Sequence, residues 1–282
     1  MIKKINEYLK LIISKILSFL VSIIPLRLAI MMLPRKLCFF GHVISDDKLP
    51  TRKLFRYPSF KELEKFINLM QASGYDFVSY RNYIKKDNKK KVLLTFDDGL
   101  KEIYTQLHPY MLRRRIPYMV FILTETFKKP DFMTKEYEAC VSHEKKCFLN
   151  LEEVVKLKTD GVDIGFHTNT HFRISDDTKT ASADMLKEIT IDKEYEDIFT
   201  KPLAFAYPFA APKKYEEFDA ILSKAGFENT FDTKWWLSDF KNHFFRWPMD
   251  IKNEKIKCEN CIIFHIKKII IKRLLPLYIL RN

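Results

Sequence analysis

The stretch Thr95-Phe96-Asp97-Asp98-Gly99 places two adjacent carboxylates directly after a short apolar run. That run, Lys91-Val92-Leu93-Leu94, is typical of a buried strand, and Gly99 allows the chain to turn sharply at the strand end. Further along, His167-Thr168-Asn169-Thr170-His171 follows a second run of this kind, residues 162–166. Because polar groups at the carboxyl ends of parallel strands meet at one edge of an α/β fold, the two segments are expected to form one site.

Two carboxylates and two imidazoles in this pattern favour a divalent-metal site with one carboxylate left over. Zinc is bound by imidazole nitrogen and carboxylate oxygen, and a catalytic zinc site keeps one position open for water. Successive side chains at a strand end point in different directions, so one of Asp97 and Asp98 can bind metal while the other faces the water. Taken alone, Asp97-Asp98-Gly99 is explained by a common turn, and the pair of histidines at 167 and 171 by chance. The two together, each after an apolar strand, favour the metal site.

These motifs make the chain resemble the polysaccharide deacetylases of carbohydrate esterase family 4, the NodB-homology group. The family motif T-F-D-D-G is intact, and H-[ST]-x-x-H is matched by residues 167–171. The resemblance implies that Asp97 is the general base and that Asp98, His167 and His171 bind a divalent metal, with zinc the expected ion. It covers residues 37–250 and includes Phe39-Phe40-Gly41-His42-Val43, which is similar to the opening strand of the group.

Alternating strand-like and helix-like segments support an α/β fold with a parallel sheet. The resemblance implies a distorted (β/α) barrel of the NodB-homology type with an incomplete set of strands. Helices are predicted from periodicity and end signals over residues 59–72, 103–114, 149–158, 186–199 and 214–225. Residues 85–91 form a charged linker that is expected to be solvated surface.

The third family motif, R-x-P-[YF]-G, is altered here to Ala206-Tyr207-Pro208-Phe209-Ala210, so the arginine that normally holds the base carboxylate is absent. Exopolysaccharide-type members of the group also have A-Y-P at this point, which indicates a divergent subgroup. Arg246 matches a late segment of those members, and it either orients Asp97 or forms a structural pair. Pro208 and Phe209 are candidates for contact with the substrate, and the Phe209 N–H is a candidate to stabilise an oxyanion.

The fourth and fifth family motifs are weaker. Residues 232–236 resemble the fourth, so Trp236 either lines an acetyl or sugar subsite or lies in the core. The fifth motif, which carries the general acid of the family, has no firm counterpart. His243 and His265 are the nearest histidines, and the acid remains unassigned.

The predicted function is removal of an acetyl group from an N-acetylated sugar. The substrate class is a bacterial cell-surface polysaccharide or its lipid-linked precursor. The altered third motif and the missing fifth motif leave an alternative, a catalytically silent glycan-binding member of the same fold.

The net charge of +13 is concentrated at the two ends of the chain. Residues 1–35 carry six Lys or Arg and one Glu, and residues 251–282 carry eight Lys or Arg and two Glu, which leaves +2 for the rest. Both ends are also rich in Ile and Leu, and the uncharged stretch 16–26 is shorter than the about 20 residues that span a bilayer. A basic apolar helix at the membrane surface is therefore favoured over a tilted anchor or a helix packed on the barrel.

The domain organisation predicted from these features is a membrane-associated segment 1–36, a deacetylase domain 37–250 and a basic apolar tail 251–282. Apolar residues interleaved with the terminal charges argue against nucleic acid as the partner. The five cysteines show no secreted disulfide framework, which favours reduced thiols and the cytoplasmic face of a bacterial membrane.

Overall fold

The computed structural model of the protein describes residues 25–31, 33–49, 54, 56–129, 131–138, 147–179, 182–234, 239–251 and 260–274. All strand pairings between its named strands are parallel. The strands are β1 (Lys36–Gly41), β2 (Asp76–Phe77), β3 (Lys91–Phe96), β4 (Met119–Ile122), β5 (Asp163–Phe166), β6 (Ala204–Ala206), β7 (Asn229–Asp232) and β8 (His243–Pro248).

Seven of these strands close into a barrel. The strand order runs from β1 through β8, β7, β6, β5 and β4 to β3, and β3 pairs with β1 to complete the ring. The two-residue strand β2 pairs with the start of β3 outside the ring. A regular (β/α) barrel has eight strands, so the prediction of a distorted barrel with an incomplete set is confirmed.

Helices surround the barrel strands, and one of them, Tyr80–Tyr83, contributes both tyrosines to the inner core. The helices are α1 (Leu26–Met31), α2 (Phe60–Ala72), α3 (Tyr80–Tyr83), α4 (His108–Arg114), α5 (Glu125–Lys128), α6 (Lys135–Glu138), α7 (Leu151–Thr159), α8 (Ala183–Ile189), α9 (Tyr215–Lys224) and α10 (Cys261–Leu274). Local sequence determines where several of them begin. Ser59 and Glu62 form a capping box at the start of α2, and this reciprocal pair satisfies backbone N–H groups that have no partner within the helix.

Strand alternation divides the buried side chains between two cores. In β3, Val92, Leu94 and Phe96 face the surrounding helices, whereas Leu93 belongs to the inner core of the barrel. Asp97 continues this inward set because side chains two apart on a strand share a face. In β8, Phe244 lies in the inner core and Trp247 in the outer one, so the alternation places Arg246 inside the barrel.

Gly165 on β5 makes room for a ring in the inner core. A Cβ atom at this position would lie 2.5 Å from Cδ1 of Phe121, a separation that real Cβ atoms do not show. Phe121 in turn lies under the guanidinium of Arg246, with 5.2 Å between the Arg246 Cζ atom and the ring centroid. Gly165 on β5 therefore leaves space for the Phe121 ring, and that ring packs against Arg246 of β8.

Two expectations about local structure are wrong. The predicted helix over residues 186–199 is divided into α8 and a separate 3-10 turn, Lys193–Ile198, with extended backbone at Thr190 and Asp192. The charged linker is not entirely solvated, because Lys91 is buried and its Nζ donates to the Asn82 carbonyl and pairs with Asp87. Sequence patterning gave no sign that one lysine of this run lies inside the fold.

The described parts of the two chain ends pack on the barrel. Ile30 of α1 and Ile262, Ile266 and Ile270 of α10 belong to the outer core, and α10 contacts α1, α2 and β8. Within the described residues, no helix combines the length and apolar character needed to cross a bilayer. Of the two predicted membrane segments, 1–36 and 251–282, residues 1–24, 252–259 and 275–282 lie outside the described residues, whereas Cys261–Leu274 form α10 on the barrel. The membrane role of both segments stays a prediction.

Candidate active site

A fully buried ion pair lies at the carboxyl end of the barrel. Arg246 donates from Nη1 to Oδ1 of Asp97 at 2.6 Å and from Nη2 to Oδ2 at 2.9 Å. Its Nη1 also donates to the hydroxyl of Thr95 at 3.1 Å, and its guanidinium lies over the rings of Phe40 and Phe121. A bidentate guanidinium fixes both the charge and the plane of a carboxylate. Arg246 of β8 therefore makes the contact with Asp97 that the family resemblance assigns to an arginine absent from residues 206–210.

Asp98, His167 and His171 converge beside this pair. The Nε2 atoms of both histidines lie 3.3 Å from Oδ1 of Asp98, and one ligand atom from each of the three residues falls within 4.8 Å of the others. His167 Nδ1 lies 2.8 Å from the Ala206 carbonyl, which can only accept, so the Nδ1–H tautomer leaves the Nε2 lone pair directed at the cluster.

The backbone reaches this arrangement through unusual conformations. Asp98, Thr168, His171 and Phe209 all have positive φ, between 64° and 70°, and Gly99 continues the turn at 68°. Such values cost about 1–3 kcal/mol for residues other than glycine and concentrate at functional sites. The turn at Asp98 directs its carboxylate away from that of Asp97, so the adjacent acids face different partners.

The three side chains fit a divalent metal. Oδ1 of Asp98 is buried and accepts no hydrogen bond within the described part of the chain, although it faces two imidazole nitrogens. A buried carboxylate oxygen without a donor is costly unless a cation satisfies it. Two imidazoles and one carboxylate are a ligand set that suits zinc.

Electrostatics keep Asp98 ionised. Burial alone would raise the pKa of Asp98, but His171, His167 and His42 together hold that pKa well below its ordinary value. Ionised carboxylate is the form that binds metal.

Tyr137 of α6 adds a second support to Asp98. Its hydroxyl donates to Oδ2 of Asp98 at 2.6 Å, and both side chains are buried. Burial and the neighbouring carboxylates raise the pKa of Tyr137 well above its ordinary value, so the hydroxyl stays a donor. This bond leaves Oδ1 of Asp98 to the histidines.

His42, at the exit of β1, is a further histidine at the site. Its Nε2 lies 3.9 Å from Oδ2 of Asp98, and its Nδ1 lies 2.6 Å from Oδ2 of Asp250. Asp250 also accepts the His42 backbone N–H at 2.8 Å. Burial opposes protonation of His42, but Asp250 and Asp98 outweigh it and raise the pKa of His42 above its ordinary value. About a fifth of the His42 side chain is exposed, so it faces the open side of the site.

The loop after β6 forms another wall. The Phe209 ring lies 4.6 Å from the His171 ring, and the Arg173 guanidinium covers it at 4.3 Å. The Phe209 carbonyl accepts from Thr233, and within the described residues its N–H has no acceptor. Pro208, directly before it, is buried. Trp236 falls outside the described residues.

The two histidines considered as counterparts of the fifth motif serve other contacts. His243 lies between Asp219, at 2.7 Å from its Nδ1, and Asp232, at 3.7 Å from its Nε2. It alternates with Phe244 and belongs to the outer face of β8. His265 on α10 bonds through Nε2 to the Asp250 carbonyl at 2.9 Å.

Sequence reasoning missed the part that His42, Asp250 and Tyr137 have in this arrangement. His42 and Asp250 each follow an apolar strand, the same signal that singled out Asp97, and His42 also lies in the segment similar to the family's opening strand. Tyr137 lies on a four-residue helix in a long connection and carries no periodic or motif signal.

The family model described as polysaccharide deacetylase matches residues 84–230, just over half of the chain. The chain belongs to the polysaccharide deacetylase family. No curated protein matches the sequence.

Solved deacetylases share the fold of this family member. The Streptococcus pyogenes deacetylase PplD, in complex with acetate, is 17% identical with a TM-score of 0.59, over 77% of this chain and 93% of that one. A de-N-acetylase from Aggregatibacter actinomycetemcomitans is 16% identical with a TM-score of 0.61, over 81% and 99%. IcaB from Ammonifex degensii is 20% identical with a TM-score of 0.51, over 74% and 88%.

The setting of His243 predicts a pH-dependent contribution to stability. Burial lowers its pKa, but Asp219 and Asp232 outweigh this and raise the pKa above the ordinary 6.5. A raised folded-state pKa stabilises the fold fully below the unfolded pKa, and the contribution is lost as pH rises through the folded value. As pH rises from the unfolded pKa of His243 through its folded pKa, we expect the parent's free energy of unfolding to fall more steeply than that of His243→Gln. Denaturant midpoints at a series of pH values measure this, and parallel profiles would show that His243 is not charged in the fold.

Proposed function

We propose that this protein is a metal-dependent hydrolase that removes the acetyl group from an N-acetylated sugar of a bacterial cell-surface polysaccharide or its lipid-linked precursor. The observation that carries the proposal is the buried Asp97–Arg246 pair beside the convergent Asp98, His167 and His171 cluster. Membership of the polysaccharide deacetylase family supports the reaction class.

Asp98, His167 and His171 are proposed to hold one divalent ion, with zinc favoured by the ligand types. When bound, such an ion supplies Lewis acidity and lowers the pKa of bound water from 15.7 to about 7. Tyr137 and the Ala206 carbonyl orient Asp98 and His167, respectively. Partners of this kind commonly determine metal affinity as strongly as they determine geometry.

Asp97 is the proposed general base. Its carboxylate is buried and paired with Arg246, which fixes it in one plane. A carboxylate held in this way can accept a proton from water as the water attacks the acetamide carbon. Because Arg246 donates one hydrogen bond to each carboxylate oxygen, a further lone pair on each oxygen can accept from that water.

His42 is the proposed proton donor to the leaving amine. Asp250 holds Nδ1, which leaves Nε2 as the nitrogen that faces the site, in the same way that a carboxylate orients a catalytic histidine in hydrolases. The Phe209 N–H is the proposed donor to the oxyanion, because it has no other acceptor within the described residues. Pro208 and Trp236 are proposed to contact the substrate.

We propose an active enzyme over a catalytically silent member, and two contacts support this choice. The first is the pair of Arg246 with Asp97, which is present although the third motif lacks its arginine. The second is that of His42, which lies beside Asp98 with a carboxylate partner although the fifth motif lacks its histidine.

The reaction is tested by release of acetate from a soluble N-acetylglucosamine oligosaccharide, with the mass loss of one acetyl group per site. Asp97→Asn removes the base with little change in shape, so we expect turnover to fall by roughly 10² to 10⁴ while metal content is retained. Asp177→Asn, at an exposed carboxylate on the same end of the barrel, is the matched control and should keep the parent rate. An unchanged rate for Asp97→Asn would assign the proton transfer to another group.

Metal binding is tested through the hydroxyl that supports Asp98. Tyr137→Phe removes one hydrogen bond and no ring volume, and we expect zinc affinity of the metal-free protein to fall by about 10- to 100-fold. Tyr110→Phe removes a buried hydroxyl that has no partner within the described residues, and it should bind zinc like the parent.

His167→Ala should give the weakest zinc binding of these variants, because it deletes a proposed ligand and should lose most of the metal. Full zinc occupancy in His167→Ala would refute the ligand assignment. Parent-like affinity in Tyr137→Phe would show that the bond to Asp98 does not position it.

A further inference from the structure

The barrel has a second distinctive end. All its strands are parallel, so the site residues lie at the carboxyl end and the segments that lead into each strand form the opposite end. We call this opposite end the base. It comprises the described parts of residues 32–35, 73–75, 84–90, 115–118, 160–162, 199–203, 225–228 and 239–242.

Exposed charges on the base are mainly positive. Its exposed acids are Asp87, Glu228 and Asp239. Its exposed cations are Arg35, Lys85, Lys86, Lys89, Arg115, Lys201 and Lys241. Residues 36–250 together carry only +2, whereas the six exposed cations and three exposed acids of the base within that range carry +3, so this excess is a property of one surface and not of the domain as a whole.

Helix dipoles do not explain this excess. Basic residues are favoured in the last turn of a helix, and Arg113 and Lys224 in the adjoining helix ends fit that rule. Arg35, Lys85, Lys86, Lys89, Lys201 and Lys241 lie outside the last turns of helices, where the dipole contributes little.

Among the described residues, the three most exposed large apolar side chains lie in the base or just before its segments. Met31, at the end of α1, is 80% exposed, Leu112 in the last turn of α4 is 55% exposed and Phe240, just before β8, is 52% exposed. Lys241 lies over the Phe240 ring at 5.3 Å. Exposed apolar side chains at the same end of a fold as exposed cations are the pattern of a surface that enters the headgroup region of an anionic bilayer.

Both ends of the described chain lead to the base. At one terminus, residue 25 precedes α1. The chain that follows α1 reaches the base, where the carbonyls of Leu33 and Pro34 accept from the hydroxyl of Tyr75. At the other terminus α10 begins near the catalytic end, where the Cys261 N–H donates to Glu62. Its 14 residues extend for about 21 Å along the barrel, to the helix α1. The basic and apolar sequences 1–24 and 275–282 therefore join the fold at or near the base.

We propose that the base is a docking surface for an anionic lipid bilayer, which holds the barrel with its catalytic end directed away from the membrane. Phe240 and Leu112 enter the headgroup region and the surrounding lysines and arginines contact lipid phosphates. In this orientation the site receives saccharide from the side opposite the bilayer. This part of the inference rests on the proposed deacetylase function, and it favours an extended polysaccharide over a short saccharide on a lipid in the same bilayer.

The surface is tested with the full chain and vesicles of phosphatidylcholine with or without phosphatidylglycerol. The base variant combines Lys85→Gln, Lys86→Gln, Lys89→Gln, Leu112→Ser and Phe240→Ser. A matched control places the same types of change elsewhere on the surface and combines Lys61→Gln, Lys129→Gln, Lys213→Gln, Val155→Ser and Leu186→Ser, all at exposed positions. We expect the base variant to bind anionic vesicles at least about tenfold more weakly than the parent, and the control to bind within about twofold of it.

Hydrogen exchange on the parent locates the contact. Vesicles should protect amides in residues 84–90, 115–117 and 239–242 and leave residues 42–49 and 173–179 at the catalytic end unchanged. Equal vesicle binding by the base variant and the control, or protection at the catalytic end, would overturn the proposal. Binding to duplex DNA with no preference for anionic over neutral vesicles would also overturn it.

Acetate release from a soluble N-acetylglucosamine oligosaccharide keeps the two proposals separate. The base variant alters no residue of the site, so its rate should equal that of the parent. Loss of vesicle binding with retained acetate release supports the docking surface. No acetate release from any form would contradict the proposed function and leave the vesicle result to be judged independently.

Discussion

The buried ion pair between Asp97 and Arg246 is the interaction on which the rest of the site depends. Taking two charges out of water is costly, and the structure offsets this with two direct hydrogen bonds, a further bond to Thr95 and two aromatic rings around the guanidinium. Breaking a buried pair by removing one partner typically costs about 3–5 kcal/mol, because a charge is left uncompensated. The pair therefore requires Asp97 at the end of β3, an inward-facing Arg246 on β8, and the space at Gly165 for the Phe121 ring that packs on Arg246.

Strand alternation explains why so much of this arrangement follows from sequence. Leu93, Thr95 and Asp97 share one face of β3 and its continuation, so an apolar strand followed by an acid places a carboxylate above the barrel axis. The two motifs and their apolar runs predicted that Asp98, His167 and His171 would meet, and the structure brings them within ligand distance of one another. The barrel fold and its incomplete set of strands were predicted by the family resemblance.

Contacts that depend on distant registers could not be predicted in this way. Arg246 bonds to Asp97 across 149 residues, and only the family resemblance offered this contact, as one of two alternatives for Arg246. His42 bonds to Asp250 across 208 residues, and no local spacing reveals that pair. Tyr137 comes from a four-residue helix with no pattern, and the break between α8 and the 3-10 turn depends on tertiary packing. The altered third motif is the clearest case. Residues 206–210 contain no arginine, but Arg246, from a different strand, lies beside Asp97.

The most direct test of the Asp97–Arg246 pair removes the arginine from β8 and introduces one in the third motif. Arg246→Ala should abolish nearly all acetate release from an N-acetylglucosamine oligosaccharide while the protein still binds zinc. Ala206→Arg added to that variant places an arginine on β6, facing the volume that Arg246 vacated, and should recover a measurable part of the lost rate. Parent-like activity in Arg246→Ala alone would show that Asp97 needs no buried guanidinium, and it would contradict a dependence of the site on this ion pair.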